Sequence, residues 1–200
     1  MEDNIEKDYK VILLGDNYVG TTCLLNRFIY HEYNPDKYSY YIYSNEKRIT
    51  LENRKEVSFL FWDLYNHHNN YPLQRLFIKD SHGVMLTYDT TKRSSFESAN
   101  YRLNRIKEDF NEIPVLALVG LKVDSFINEE VTEEEARKFA EDNNMLFYLT
   151  SAKEDLVVDE CFNGVMNEII RKDEIVNGKK GLINLNNIER ERPCKRGCLK

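Results

Sequence analysis

Between positions 15 and 22 the chain reads Gly-Asp-Asn-Tyr-Val-Gly-Thr-Thr. It enters this loop from an apolar run, Lys10-Val-Ile-Leu-Leu, and leaves it through a segment that spaces Cys23, Leu24, Leu25 and Phe28 as one face of a helix. Strand, glycine-bracketed turn and helix in that order aim backbone N–H groups and a helix N-terminus at one point, an arrangement suited to phosphate. On this reading Gly15, Asp16, Asn17, Tyr18, Val19, Gly20, Thr21, Thr22 and Cys23 form the phosphate-binding set. A plain turn between a strand and a helix would use the same two glycines, so context must decide. One element is missing: Thr21 occupies the position from which a lysine would reach the outer phosphates.

The context is an alternation of strands and helices. Two β-like runs, Arg48 to Glu52 and Val57 to Asp63, flank a turn-prone Asn53-Arg54 and predict a hairpin. Gly83 to Tyr88 is a buried strand, and Ser94 to Phe110 a helix with Phe96, Leu103, Ile106 and Phe110 on one side. A strand over Ile113 to Gly120 follows, then a helix from Thr132 to about Asn143, begun by Thr132-Glu-Glu-Glu with the spacing of a capping box. Leu146 to Leu149 is a strand, and Val158 to Lys172 a helix with Phe162, Val165, Met166 and Ile169 at periods of three and four. This order predicts an α/β fold, a mostly parallel six-stranded sheet with helices on both faces. Ligands of such sheets sit beyond the carboxyl ends of the strands, which directs attention to the loops after Leu14, Phe61, Val119 and Leu149.

Each of those loops carries chemistry. Trp62-Asp63 places a carboxylate at a strand end, where it can hold a metal-bound water opposite Thr22. Leu121-Lys122-Val123-Asp124 and Thr150-Ser151-Ala152-Lys153 close the other two. Together with Gly83-Val-Met-Leu-Thr-Tyr-Asp-Thr-Thr and Ser95-Phe96, these four loops resemble the small GTPases of the Ras superfamily, and the Rab branch most. The resemblance spans about residues 8 to 172 and implies a Ras-like P-loop NTPase fold that binds GTP or GDP with Mg2+. It implies that Asp124 accepts from two donors of guanine, that Lys122 lies along the base, that Ala152 offers its N–H to the base oxygen, and that Leu121, Ser151 and Lys153 flank the base. Tyr33, eleven residues after Thr22, falls where the family stacks an aromatic on the base. Thr22 and Asp63 would serve the metal. In the first partner-sensing loop, counting from Thr22 aligns Tyr40 with the family's metal-coordinating Thr, while counting back from Trp62 gives Ser39; only Ser39 could ligate magnesium in that way.

The departures carry weight. Loss of the lysine's charge-assisted hydrogen bonds, about 1.5–3 kcal/mol, weakens binding roughly 10- to 150-fold. Leu121 replaces the Asn of the guanine motif, and two independent losses multiply. After Asp63 the chain reads Leu64-Tyr65-Asn66-His67-His68 in place of Thr-Ala-Gly-Gln-Glu. Asn66 thus stands for a glycine whose N–H meets the γ-phosphate, and His67 for the glutamine that orients the attacking water. Phosphoryl transfer depends on positioned charge, so these changes predict very low intrinsic hydrolysis. Two readings follow. One is a Rab-like membrane-trafficking switch that meets effectors and regulators through segments 34–43 and 64–77. The other is a nucleotide-independent pseudo-GTPase that offers the same surfaces as an interaction module.

Composition bounds the remainder. The net charge of −6 divides into +3 over the last twelve residues and −9 over the rest, so the acidic body argues against nucleic acid as a partner. The N-terminus, Met1-Glu2-Asp3-Asn4, lacks the basic and apolar regions of a secretory signal, which predicts a cytoplasmic protein. Residues 1–173 are expected to form the G domain and 174–200 a flexible basic tail. In the tail, Cys194-Lys-Arg-Gly-Cys198-Leu-Lys resembles the paired lipidation sites of Rab proteins, implying peripheral attachment to the cytosolic face of an intracellular membrane. The spacing departs from the family's, because two residues follow Cys198 and the cysteines are neither adjacent nor separated by one residue. Unmodified thiols are the alternative.

Overall fold

The structure is a computed structural model that describes residues 5–36, 43–51, 56–64 and 71–176. Six strands form one sheet in the order β2-β3-β1-β4-β5-β6. They are β1 (Ile5–Leu14), β2 (Tyr43–Thr50), β3 (Glu56–Asp63), β4 (Gly83–Asp89), β5 (Val115–Leu121) and β6 (Leu146–Thr150). β2 runs antiparallel to β3; every other neighbouring pair is parallel. The helices are α1 (Thr21–Tyr30), α2 (Tyr71–Ile78), α3 (Arg93–Asp109), α4 (Glu133–Asp142) and α5 (Val158–Val176), with a 3-10 turn over Val123–Asn128.

Period-two alternation in β1 sorts its side chains onto two cores. Val11 and Leu13 face a cluster built from α1 and α5, including Leu24, Phe28, Phe162, Val165 and Ile169. Ile12 and Leu14 face the opposite cluster, with Phe96, Leu103 and Ile106 of α3 and Ala136 and Ala140 of α4. The Phe28 and Phe162 rings stack at 4.0 Å and an interplanar angle of 6°, which joins the first helix to the last across the floor of the sheet. β4 and β5 are buried at every position because helices cover both faces, as a central parallel strand requires.

Several boundaries differ from the sequence reading. β1 begins at Ile5, since Lys7 and Tyr9 find a partner in Asp173 of α5, where both donate to the carboxylate. β2 begins at Tyr43 and ends at Thr50, and the predicted turn at Asn53-Arg54 lies outside the described residues. α2 had no counterpart in the sequence reading. α5 continues to Val176, past the expected 173 boundary. At α4 the Thr132 hydroxyl accepts from Glu135 N at 3.3 Å, but the Glu135 carboxylate pairs with Arg93 of α3, so Glu135 serves as a tether between helices.

Candidate functional site

The glycine-bracketed loop joins β1 to α1 at the carboxyl edge of the sheet. Gly20 takes φ 110°, which a residue with a Cβ rarely adopts, and it starts α1 without a side-chain cap or an acidic residue in the first turn. The first N–H groups of α1 are therefore left for an anion. Gly15 is required for space: a Cβ there would run into the hydroxyls of Thr21 and Thr87. Thr21 is buried, and its Oγ1 lies 2.7 Å from Thr87 Oγ1, which is in turn 3.2 Å from Leu14 O. With Thr87 donating to that carbonyl, Thr21 donates to Thr87. The hydroxyl in the lysine position is thus tied to the sheet.

Asp16 and Asn17 do not line the cleft with their neighbours. The Asp16 carboxylate accepts from Arg102 Nη2 at 2.6 Å, and Asn17 Oδ1 is buried without a hydrogen-bond partner. Tyr18 takes φ 67° and is exposed, while its carbonyl accepts from Lys122 Nζ at 2.7 Å.

At one end of the cleft, Thr22 Oγ1 donates to Asp63 Oδ2 at 2.5 Å. Asp63 ends β3 beside Leu13, a register that brings its carboxylate next to the start of α1. Two hard oxygen donors converging at the end of a phosphate loop suit Mg2+, which takes one or two protein oxygens and fills its shell with phosphate and water. Among the described residues no group of three His, Cys, Asp or Glu is placed to hold a metal, so phosphate and water oxygens would have to make up most of that shell. Ser39, Asn66 and His67 lie outside the described residues.

The other end is built from the loops after β5 and β6. Ser151 Oγ donates to Asp124 Oδ1 at 2.6 Å, Lys153 Nζ lies 4.0 Å from Asp124 Oδ2, and Glu154 N donates back to Ser151 Oγ at 3.1 Å. Lys122, at φ 65°, pairs with Asp89 of β4 at 2.6 Å. Arg27 of α1 donates from Nε to Ala152 O at 2.8 Å, and its guanidinium lies 6.0 Å from the Tyr33 ring centroid. Leu121 is buried, with Cδ1 3.7 Å from where a Cβ on Gly20 would lie. Leu121 thus lies beside the loop with an apolar side chain.

Between the two ends lies a cleft of about 410 Å3. It gathers Tyr18 to Cys23 from the loop and α1, Tyr33 from the segment after α1, and Leu121, Lys122, Asp124, Ala152 and Lys153 from the two later loops. Burial pushes the Cys23 thiol above its ordinary range, with Lys122 opposing and Asp63 adding, so Cys23 stays protonated and serves as packing. Burial likewise raises the Tyr33 phenol, helped by the neighbouring Cys23 and Asp124.

Four contributors were not singled out in the sequence: Arg27, Thr87, Asp89 and Arg102. Thr87 and Arg102 did leave a signal. Thr87 is a hydroxyl inside an otherwise apolar buried strand, and Arg102 is a charge on the face of α3 that carries Ala99, Leu103 and Ile106. Asp89, buried at the end of β4, lies within the Gly83 to Thr91 stretch that carried the resemblance but had no role of its own there, and Arg27 left no signal.

Comparison with known proteins places this geometry. The model of the Ras family matches residues 10–171. The GTP-binding protein ypt3 of Schizosaccharomyces pombe is 33% identical over 171 residues, which cover 85% of this chain and 79% of that protein. The Ras-related protein Rab-2B of Dictyostelium discoideum is 31% identical over 167 residues, 83% and 82% of the two chains. The Ras-related protein Rab-13 of Mesocricetus auratus is 32% identical over 165 residues, 82% and 81%.

Proposed function

This chain belongs to the Ras family, as a Rab-like small GTPase, and from that premise we propose that it is a guanine-nucleotide switch with weakened nucleotide binding and very low intrinsic hydrolysis. The observation that carries this reading is a cleft with Thr22, bonded to Asp63, at one end and Asp124, held by Ser151, at the other. A carboxylate fixed by a hydroxyl keeps its remaining lone pairs for a ligand, and guanine presents adjacent donors where adenine does not. Gly15, Gly20, Thr22 and Cys23 hold the phosphates through backbone N–H groups; Lys122, Tyr33, Ala152 and Lys153 enclose the base.

Magnesium would be held by Thr22 and Asp63, with Ser39 as a further ligand, and would supply charge stabilisation at the phosphates. The chain's own contribution is reduced. Thr21 gives its hydroxyl to Thr87, and Leu121 presents no polar atom. His67 takes the place of a water-orienting glutamine, so binding outlasts catalysis in this reading. A single-turnover measurement with protein in excess over GTP tests it: the expected trace is flat over the minutes in which an ordinary Rab hydrolyses measurably, and turnover at an ordinary Rab rate contradicts it.

The switch acts in membrane trafficking. Segments 34–43 and 64–77 meet effector and regulator proteins, and the tail carrying Cys194 and Cys198 attaches the G domain to the cytosolic face of an intracellular membrane. Among the described residues no helix is long and apolar enough to cross a membrane. One lipid chain binds marginally, and each basic side chain near an anionic surface adds about 1 kcal/mol, so lipid and charge together suffice. Mass spectrometry of the native protein tests the tail directly, and two unmodified thiols would end that part of the proposal. The second reading, a pseudo-GTPase interaction module, is favoured by one observation, the burial of Thr21 against Thr87.

A further inference from the structure

The phosphate loop carries a negative charge of its own. Asp16 follows directly on Gly15, and a carboxylate there opposes any polyphosphate drawn to the loop amides. Arg102 answers that charge from α3. Its side chain is 6% exposed, its Nη2 lies 2.6 Å from Asp16 Oδ1, and its Nη1 is buried without a hydrogen-bond partner. Lys122 also touches the loop, through Tyr18 O, but its charge is taken up by Asp89 at 2.6 Å. Thr21 brings no charge at all.

We infer that Arg102 is a specificity-determining residue for nucleotide: by neutralising Asp16 it makes the phosphate loop compatible with a triphosphate in a chain that lacks the loop lysine. The inference rests on the nucleotide reading above. Arg102 acts through Asp16, as a positioning and charge-compensating residue, by the single charge-assisted bond from Nη2 to Oδ1. Neither Asp16 nor Arg102 lines the cleft, so the pair acts on a bound anion through charge and through the loop and not by contact. Charge compensation also predicts a preference: the more highly charged GTP depends on Arg102 more than GDP does.

The experiment is calorimetric titration of the full chain, stripped of nucleotide, with GTP and with GDP. Wild type, R102Q, D16N and the D16N/R102Q double variant are compared. R102Q is expected to lose affinity for GTP on the order of tenfold or more, and for GDP by less, because Asp16 is left uncompensated. The double variant is expected to recover most of that loss, and D16N to bind GTP at least as tightly as wild type. A purely structural bracket predicts the reverse, with D16N as weak as R102Q and no recovery in the double variant. If R102Q fails to fold, D16N decides alone, and weaker GTP binding than wild type overturns the assignment. Undiminished binding by R102Q overturns it while leaving the function intact. Absence of GTP binding by wild type overturns the function and this assignment with it.

Discussion

Thr21 is the residue on which the strength of this switch turns. Its hydroxyl is bonded to Thr87, so the position borders the cleft but its polar group is already taken. Replacing it with lysine restores a long cation at the start of α1 and leaves Thr87 satisfied through Leu14 O. Thr21→Lys is expected to raise GTP affinity roughly 10- to 150-fold, the worth of the charge-assisted bonds it regains. Competition against a fluorescent guanine nucleotide measures this, and an unchanged affinity would show that the loop holds phosphate by other means. Asp124 carries selectivity. With its Oδ1 fixed by Ser151, Asp124→Asn turns part of the acceptor pair into a donor facing a donor. The expected result is a GTP affinity more than tenfold lower with no matching gain for ATP, read by the same competition assay.

At the scale of elements, two junctions are open to measurement. α5 begins just after Val157, which holds φ 56° although it is β-branched. That left-handed position suits Asn or Gly, and holding valine there costs on the order of 1–3 kcal/mol. Val157→Asn relieves the strain and adds a side chain able to cap the helix, so stability should rise by about 1 kcal/mol or more, some 2–4 °C in thermal melting. Unchanged or lower stability would mean that the local backbone compensates for valine. The second junction ties β1 to the entrance of β4, where Lys10 N donates to His82 Nδ1 at 3.0 Å. Burial pushes the His82 pKa below its ordinary value, reinforced by Lys7, opposed by Asp173 and reinforced again by Lys10. A depressed pKa means that the neutral ring is the stabilising form. Its contribution is complete above the unfolded value of about 6.5 and is lost as pH falls through the lower folded value. His82→Asn, which keeps an acceptor that does not titrate, is expected to flatten the acid limb of stability below pH 6.5 in urea melts. An unaltered slope would assign that limb to other groups.

For the molecule as a whole, the sheet and its two cores were legible because the sequence changes period cleanly between strands and helices. Leu24 with Phe28, and Phe162 with Val165, Met166 and Ile169, announced the helices that sandwich the sheet. α2 was not legible, since its pattern is inverted: Gln74 is buried, while Leu76 is 69% exposed. The charged start of β1 lay outside the apolar run that marked the strand, because Lys7 and Tyr9 are satisfied by a residue far away in sequence. The same physics separates the site residues that sequence revealed from those it hid. Gly15, Gly20, Asp63 and Asp124 sit in local motifs, whereas Thr87 and Arg102 act across the fold on a loop many positions distant. The basic tail, Ser39 and the His67 loop lie outside the described residues, so their roles rest on sequence and on the family.

The central claim is that this cleft binds guanine nucleotide even though Thr21 has replaced the loop lysine and Leu121 the Asn of the base motif. Calorimetric titration of nucleotide-free protein with GTP, GDP and ATP, with and without magnesium, tests it most directly. Saturable binding of GTP and GDP, strengthened by magnesium, with none for ATP, is the predicted result. No heat from any of the three at high micromolar concentration, from protein shown to be folded, would contradict the account and leave a Ras-family fold that acts through its surfaces alone.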